Sequence, residues 1–257
     1  MNAGDPLRHR PLENRLALIT GAAGAIGAAT AALLAQRGAR IVAVDRPGTD
    51  FAALEKALGG DLAVIEADVT DEASVRAYVA QALTVTGTID VFFNNAGIGG
   101  PVARIADYAL EDFRRVMAVN VEGVFLGLKH VLPVMQARGS GSIVNAASAS
   151  GVTGSPGMWG YNASKHAVVG LTRVAATEAA PHGVRVNCIA PGPIRSKMMG
   201  RLDDAIGSEE AKRARGIPAR RYGLVSEVAG VVAFLASDDS TYVNGAVHAI
   251  DGGLTAI

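Results

Sequence analysis

The chain has 257 residues, of which 49% are hydrophobic, and its 24 basic and 24 acidic residues cancel to a formal net charge of zero. This size and composition suit one domain with a large core, and the neutral balance provides no basic surface for nucleic acid or an anionic membrane. The single cysteine, Cys188, excludes an intrachain disulfide and is typical of proteins from a reducing cytosol. We therefore expect a cytoplasmic protein that binds neither nucleic acid nor membrane.

The N-terminal segment and the apolar runs support the same expectation. Residues 1–15 are charged and contain no apolar stretch of the kind found in secretory signal peptides, and residues 1–11 are expected to form a flexible tail. No apolar stretch reaches the ~20 residues that a membrane span needs. The histidines are scattered without the spacing of metal ligands, so no metal site is expected.

Short apolar runs alternate along the chain with alanine-rich helical segments. Continuously apolar strands separated by helices indicate a parallel sheet covered on both faces. Right-handed crossovers then give a doubly wound, Rossmann-like α/β fold in a single domain, residues 12–257. The predicted strands are Leu16–Thr20, Ile41–Asp45, Leu62–Ala67, Val91–Asn94, Ser142–Ala146, Arg185–Ile189 and Val247–Ile250, and the predicted helices are Gly27–Gln36, Glu72–Thr86, Leu110–Met135, Tyr161–Ala180 and Ser226–Leu235.

A glycine-rich segment, TGAAGAIG at 20–27, joins the first predicted strand to the first predicted helix. Glycines allow a tight turn and close approach to a pyrophosphate, and a helix N-terminus offers unpaired N–H groups and the positive end of its dipole. The flanking strand and helix favour dinucleotide binding over a plain turn. The cofactor contacts expected here are Gly21, Gly24, Ala25, Ile26 and Gly27.

The ends of the next three strands carry further candidate cofactor contacts. Asp45 ends the second strand, where a carboxylate accepts hydrogen bonds from the adenosine ribose hydroxyls and repels a 2′-phosphate, which favours NAD over NADP. Arg46 beside it is the opposing signal, because a guanidinium could hold that phosphate. Contacts are also expected at the carboxyl ends of the third and fourth strands, at Asp68, Val69, Asn94, Ala96 and Gly97.

Tyr161 and Lys165 are four residues apart in the sequence YNASK. In a helix, residues at i and i+4 share one face. An ammonium one turn from a phenol favours the phenolate, so Lys165 is expected to lower the pKa of Tyr161 from about 10 toward working pH. A tyrosine of this kind can act as a general acid or base. Ser148, at the end of an apolar run upstream, is a candidate companion.

Together these motifs resemble the short-chain dehydrogenase/reductase family over nearly all of the chain, from about Leu12 to Gly253. The resemblance implies a Rossmann-like single domain, a nicotinamide cofactor and a homotetramer. Two positions depart from the usual family pattern: Ala25 stands where the phosphate loop usually has its middle glycine, and Ser196 stands where many relatives have a threonine. The matching segments, in the family's order and spacing, are TGAAGAIG at 20–27, DV at 68–69, NNAG at 94–97, Asn120, Ser148, YNASK at 161–165, NCIAPG at 187–192 and DGG at 251–253.

The resemblance also implies a role for each member of a catalytic set. Tyr161 exchanges a proton with the substrate oxygen, and Ser148 holds that oxygen. Lys165 tunes Tyr161 and binds the nicotinamide ribose, while Asn120 binds a water that links Lys165 to solvent. The chain beside the nicotinamide is expected to include Pro191, Gly192, Ile194 and Ser196. The substrate pocket is expected to be formed by Ile98, Ser148, Val152, Met158, Trp159, Tyr161, Met198 and Met199.

These features predict an NAD-dependent oxidoreductase that interconverts a hydrophobic secondary alcohol, including a cyclic one, and its ketone. Residues 165–172 and 252–257 look like those of relatives that oxidise alicyclic alcohols and dihydrodiols. The polar segment 192–221 interrupts the strand–helix pattern and is expected to form a substrate lid. Two alternatives stay open: a 3-oxoacyl-[acyl-carrier-protein] reductase, which predicts NADPH and a basic docking patch, and a non-catalytic nucleotide-binding protein, which the presence of both Tyr161 and Lys165 disfavours.

Overall fold

Seven parallel strands form a single sheet in the computed structural model, which describes residues 11–58 and 62–256. The predicted tail, apart from Pro11, lies outside these residues. The strand order is β3-β2-β1-β4-β5-β6-β7, so the doubly wound α/β fold is confirmed. The strands are β1 (Leu16–Thr20), β2 (Arg40–Asp45), β3 (Leu62–Glu66), β4 (Val91–Asn94), β5 (Gly141–Ala146), β6 (Val184–Pro191) and β7 (Val247–Ile250).

Helices connect the strands and cover both faces of the sheet. Every predicted strand and helix is present, but the predicted long helix is divided by a π-helical turn at Ala118–Glu122, and three short helices, α2, α7 and α8, were not predicted. The helices are α1 (Ala25–Gln36), α2 (Ala52–Leu58), α3 (Glu72–Thr86), α4 (Leu110–Met117), α5 (Gly123–Arg138), α6 (Trp159–Ala179), α7 (Lys197–Ala205), α8 (Glu210–Ala214) and α9 (Val225–Ala236).

The core lies on both sides of the sheet because successive residues of a buried strand point to opposite faces. In β4, Phe92 packs with Tyr78 and Met135 on the side of α3, α5 and α6. Its neighbour Phe93 packs with Leu34 on the side of α1 and α9. This two-sided burial explains why strands such as β1 and β4 are runs of apolar residues and do not alternate apolar with polar residues.

The stretch Leu110–Arg138, which combines α4, the π turn and α5, is long and apolar enough to cross a membrane, because its most apolar 18-residue window has a mean hydropathy of 1.2. The expectation that no segment reaches this length is therefore wrong by these criteria. Only 44% of its most apolar window is buried, but Val124, Val131 and Met135 of this stretch lie in the core. Length and composition alone do not distinguish a spanning helix from a core helix of this kind.

The segment predicted as a lid, 192–221, contains α7 and α8 and is closed at its base. The N–H of Arg195 donates to the carbonyl of Gly223 (3.0 Å), and the N–H of Gly223 donates to the carbonyl of Pro193 (2.9 Å). Inside the segment, the buried carboxylate of Asp203 accepts hydrogen bonds from Arg213 (2.7 Å) and from the hydroxyl of Tyr222 (3.0 Å). The two helices are thus braced against each other and against the segment's exit.

Candidate active site

The carboxyl ends of β1 and β4 are joined by hydrogen bonds at the point where the strand order reverses, which is where open α/β sheets bind ligands. The hydroxyl of Thr20 accepts the N–H groups of Asn95 (3.0 Å) and Ala96 (3.1 Å). The amide of Asn95 donates to the carbonyls of Thr20 (3.0 Å) and Gly21 (3.1 Å). Asn95 therefore shapes the glycine loop, a role that the NNAG motif alone did not assign to it.

Glycine is required at both ends of the loop. Gly21 has a φ of +63°, and a Cβ added there would lie 2.9 Å from the Cα of Ala96. A Cβ on Gly27 would lie 2.3 Å from the carbonyl oxygen of Gly21. Ala25, the departure from the family pattern, is the first residue of α1 and is exposed. Its methyl group therefore does not displace the loop.

The loop and the start of α1 fit a dinucleotide pyrophosphate. Gly24 is the N-cap of α1 and provides no side-chain cap, so the first N–H groups of the helix, from Ala25 to Gly27, have no intrahelical acceptor. Gly24 and Ala25 are exposed, which leaves this positive helix end open to an anion. The fit rests on the shape of this cradle and on its unpaired donors.

Asp45 links the end of β2 to the glycine loop. One carboxylate oxygen accepts the N–H of Ala23 (3.1 Å), and the other accepts the N–H of Arg46 (2.9 Å). The side chain of Asp45 remains partly exposed, and Arg46 is exposed. The carboxylate is thus fixed beside the cradle with acceptor capacity left for ribose hydroxyls.

The side chains of Asp68 and Asn94 both form hydrogen bonds with other residues of the chain. The exposed carboxylate of Asp68 accepts the N–H and the hydroxyl of Thr70, both at 2.8 Å. The buried amide of Asn94 donates to the carbonyl of Val124 (3.0 Å), so this side chain points to α5 and away from the crevice. Val69 packs on the backbone of Gly123, where an added Cβ would lie 2.9 Å from it.

The start of α6 brings Tyr161 and Lys165 onto one helical face, as the spacing predicts. The ammonium of Lys165 is buried, donates to the carbonyl of Ala146 at the end of β5 (2.7 Å) and lies 5.6 Å from the centroid of the Tyr161 ring. Ser148, also buried, lies close enough to Tyr161 to oppose the effect of burial on the pKa of the phenol. The Ser148 hydroxyl donates to the carbonyl of Pro191 (3.4 Å), so the end of β6 lies at the same place.

Asn120 lies in the π turn between α4 and α5 and is fully buried. Its amide accepts the N–H of Ile98 (2.8 Å) and donates to the carbonyl of Ile98 (2.9 Å) and the hydroxyl of Ser164 (3.0 Å). A Cβ added to Gly97 would lie 3.2 Å from the Asn120 Oδ1 and 3.4 Å from the Lys165 Nζ. The structure therefore brings Asn120 and Lys165 together, and a water that is held by Asn120 and links Lys165 to solvent stays a prediction.

The structure shifts the pKa values of both Tyr161 and Lys165, and the shift at Tyr161 is opposite to the one expected from the sequence. Burial raises the pKa of the Tyr161 phenol above its usual value of 10, and a hydrogen bond with Ser148 opposes that shift. The expectation that Lys165 produces a net lowering is wrong, because the sequence does not reveal the desolvation of the phenol. Burial also lowers the pKa of Lys165, from 10.5 to about 8.

The apolar residues proposed for the substrate pocket are largely open to solvent. Val152, Trp159 and Met198 are 42%, 43% and 49% exposed. The indole N–H of Trp159 donates to the carbonyl of Ala103 (3.2 Å), which ties the loop after β4 to the start of α6. Ile98, Met158 and Met199 are partly buried, and Met198 and Met199 lie on α7 in the segment predicted as a lid.

The residues expected beside the nicotinamide have mixed surroundings. Pro191 and Ile194 are buried, and Ile194 packs in the core with α9. Ser196 is the N-cap of α7, where its hydroxyl accepts the N–H of Met199 (3.2 Å). A Cβ on Gly192 would lie 2.8 Å from the Cβ of Asp251, so the DGG motif supports this loop. Over residues 11–58 and 62–256, no three His, Cys, Asp or Glu side chains are grouped to hold a metal ion.

Comparison with known proteins agrees with this geometry. Residues 21–255 match a family model described as enoyl-(acyl carrier protein) reductase. Levodione reductase of Leifsonia aquatica is 43% identical over 253 residues, which cover 95% of each chain. Cyclohexanol dehydrogenase of Acinetobacter sp. is 39% identical over 249 residues, which cover 95% of this chain and 96% of the relative.

A solved structure is similar to this chain over nearly its whole length. NAD+-bound xylitol dehydrogenase has a TM-score of 0.90 and 37% identity to this chain, over 94% of this chain and 99% of the other. The residues matched by the family model, 21–255, include the glycine loop, Ser148, Tyr161, Lys165 and the C-terminal DGG turn. The chain therefore belongs to the short-chain dehydrogenase/reductase family, whose members are oxidoreductases of alcohol and ketone groups.

Proposed function

We propose that this chain is an NAD-dependent dehydrogenase that interconverts a hydrophobic secondary alcohol, including a cyclic one, and its ketone. The main support for this proposal is that Ser148, Tyr161 and Lys165 lie close together at the start of α6. The glycine loop of the same fold has a shape that suits a dinucleotide. Cyclohexanol is a cyclic secondary alcohol, so the similarity to cyclohexanol dehydrogenase supports this substrate class. A cytoplasmic location stays a prediction from the single, buried Cys188.

The glycine loop and the end of β2 would hold the cofactor. The N–H groups at the start of α1 suit the pyrophosphate, and the Asp45 carboxylate suits the adenosine ribose hydroxyls. When bound, the nicotinamide donates or accepts the hydride. Asp45 favours NAD, and the NAD+-bound xylitol dehydrogenase supports that choice over NADP.

Tyr161 is suited to hold and release a proton at the substrate oxygen. Because its pKa is raised, the phenol is protonated at neutral pH and can donate to a ketone oxygen during reduction. Oxidation of the alcohol needs the reverse transfer, so alkaline pH should favour that direction. The Ser148 hydroxyl beside the phenol can donate a second hydrogen bond to the same oxygen, which orients the substrate.

The apolar residues near the site favour a substrate without charge. Val152, Trp159 and Met198 are exposed, and an apolar ligand that covers them gains about 25 cal/mol for each Å² removed from water. The description of the matching family, enoyl-(acyl carrier protein) reductase, supports the acyl-carrier alternative. A substrate panel that includes cyclic alcohols, their ketones and a 3-oxoacyl thioester separates the two functions.

We also propose that the chain assembles as a homotetramer. β7 is an edge strand of the sheet, and unpaired edges of this kind are commonly covered by another chain. Several large apolar side chains are exposed among the described residues, and a second copy of the chain could cover four of them. They are Phe125 (49% exposed), Val174 (58%), Phe234 (38%) and Tyr242 (fully exposed).

The oligomer prediction is that light scattering at micromolar concentration gives a mass about four times the 26.2 kDa of one chain. Covering the β7 edge and the four exposed side chains is the physical reason, because burial of apolar surface drives association. A stable monomer at that concentration would contradict it.

The acid/base prediction is that Tyr161→Phe lowers kcat by at least about 10²-fold, the usual scale of general acid/base catalysis. The ring remains, so NAD binding should be unchanged. The measurement is the change in nicotinamide absorbance with a cyclic secondary alcohol, together with NAD titration of the variant. Near-normal turnover would refute the assignment, and a parent active only on the 3-oxoacyl thioester would favour the alternative function.

The Lys165 prediction is that Lys165→Met abolishes activity yet raises the free energy of unfolding. Lys165 is 4% exposed, and a pKa lowered from 10.5 to about 8 corresponds to an unfavourable contribution on the order of 3 kcal/mol when the ammonium is charged. Losing the hydrogen bond to Ala146 offsets roughly 1 kcal/mol. We expect a net gain of about 1–2 kcal/mol near pH 7.

The pH dependence of that gain provides its control. The folded-state pKa is below the unfolded one, so the penalty is full below about pH 8 and disappears as the pH rises toward 10.5. Urea unfolding of parent and variant should therefore differ more at pH 7 than at pH 9.5. A variant that is less stable than the parent at pH 7 would show that the ammonium is net stabilising.

The cofactor prediction concerns Asp45→Asn, which removes the charge but keeps an oxygen for the Ala23 N–H. The parent should prefer NAD over NADP by roughly 5- to 150-fold in kcat/KM, since a 2′-phosphate beside the carboxylate is disfavoured by about 1–3 kcal/mol. The variant should lose most of that preference. Asp50→Asn removes an exposed carboxylate from the following loop and should leave the preference unchanged. A parent that prefers NADP would mean that Arg46 dominates.

A further inference from the structure

The loop that begins at Ser148 is held on α6 by one side chain, the amide of Asn162. In this Ser148 loop, residues 148–155, the N–H of Ser155 donates to the Asn162 Oδ1 (3.2 Å). The Asn162 Nδ2 donates to the carbonyls of Ser150 (2.9 Å) and Thr153 (2.6 Å). Both donors and the acceptor of the amide are therefore used on a single loop.

The same loop lies directly on the helix backbone at Lys165. A Cβ added to Gly151 would lie 2.7 Å from the Lys165 carbonyl oxygen. The hydroxyls of Ser150 and Ser155 hydrogen-bond across the loop (3.0 Å) and close it. The loop can approach α6 this closely only with glycine at 151, and Asn162 supplies the polar contacts that hold it there.

The contact between Asn162 and the Ser148 loop lies next to Tyr161 on the helix and next to Ser148 in the loop. Asn162 follows Tyr161 in the chain, and the N–H of Ser150 donates to the Ser148 hydroxyl oxygen (3.2 Å). Val152, one of the exposed apolar side chains, lies between two residues that Asn162 holds. A shift of the loop would therefore move Ser148 and Val152 relative to Tyr161.

We infer that Asn162 is a positioning residue that fixes Ser148 and Val152 against the substrate by clamping the Ser148 loop to the catalytic helix. The inference rests on the proposed function, because its kinetic effect is on the alcohol or ketone of that reaction. Asn162 does not touch the reacting atoms. It acts through Ser148, whose hydroxyl must lie within hydrogen-bonding distance of the substrate oxygen.

The first test is Asn162→Ala, measured with a cyclic secondary alcohol and with a bulkier ring-substituted one. We expect kcat/KM to fall by about 10-fold or more, because small misplacements of a catalytic group have large kinetic effects. The ratio of kcat/KM for the two alcohols should also change, since the wall at Val152 loosens. The Kd for NAD should stay within about twofold, because the glycine loop makes no contact with the clamp.

Asn244→Ala is the matched control for lost stability. Asn244 clamps the far end of α6 in the same way: its amide donates to the carbonyl of Ala176 (3.0 Å) and accepts the N–H of Val186 (2.8 Å). This variant should lower the melting temperature as Asn162→Ala does, yet keep the parent's kcat/KM for each alcohol and the ratio of the two. Equal kinetic changes in the two variants would overturn the inference.

The isosteric variant Asn162→Asp gives a pH signature that a general loss of stability would not. A carboxylate keeps the acceptor for Ser155 but faces the carbonyls of Ser150 and Thr153, whereas its protonated form can donate to one of them. The ratio of variant to parent kcat/KM should therefore rise as the pH falls from 8 to 5.5. Ala163→Asp adds the same charge at the next, exposed position and should show no such rise. Parallel pH profiles for the two variants would count against the clamp.

Amide hydrogen exchange separates failure of this inference from failure of the proposed function. In Asn162→Ala, exchange should accelerate in residues 150–155 and stay unchanged in residues 21–28. If the parent oxidises none of the alcohols while this acceleration occurs, the proposed function fails and the clamp stands. If exchange in residues 150–155 is unchanged, or if an active parent and Asn162→Ala have the same kinetics, the inference is overturned.

Discussion

The buried ammonium of Lys165 is the constraint around which the candidate active site is arranged. A charge removed from water destabilises the fold unless polar groups surround it. The Ala146 carbonyl at the end of β5 accepts its hydrogen bond, and the amide oxygen of Asn120 lies near it across Gly97. These partners come from β5, the π turn and the loop after β4, so the ammonium requires all three elements to meet at the start of α6.

The first turns of α6 consequently organise both the chemistry and the walls of the crevice. Tyr161 and Lys165 face inward, while Asn162 holds the Ser148 loop and the Trp159 indole holds the loop after β4 at Ala103. The cofactor half is built separately, around Thr20 and Asn95 where β1 meets β4. The Ser148 hydroxyl joins the cluster at the start of α6 to the end of β6 through its hydrogen bond to the Pro191 carbonyl.

The sequence predicted the architecture because the central strands β1 and β4 are buried on both faces, and because apolar runs also mark the other strands. The short helices α2, α7 and α8 were not predicted, since helices of 7, 9 and 5 residues are too short to show a distinct helical periodicity. Tyr161, Lys165, Ser148 and Asn120 were found by spacing and resemblance. Asn95 and Asn162 were not, because their hydrogen bonds run to backbone groups of loops whose positions only the tertiary structure defines. The sign of the Tyr161 pKa shift was missed for the same reason.

The pKa values of Tyr161 and Lys165 are shifted in opposite directions, which bears on proton transfer at the candidate site. Burial favours the neutral form of both groups, so it raises the pKa of Tyr161 and lowers that of Lys165. Ser148 is the side chain that opposes the shift at Tyr161, because its hydroxyl, when it turns from the Pro191 carbonyl, can donate to the phenol oxygen and stabilise the phenolate. The place of the Ser148 hydroxyl therefore controls how tightly Tyr161 holds its proton as well as how the substrate oxygen is oriented. A loop that lies on α6 without a covalent link needs a specific contact to keep that hydroxyl in place, and the amide of Asn162 provides one.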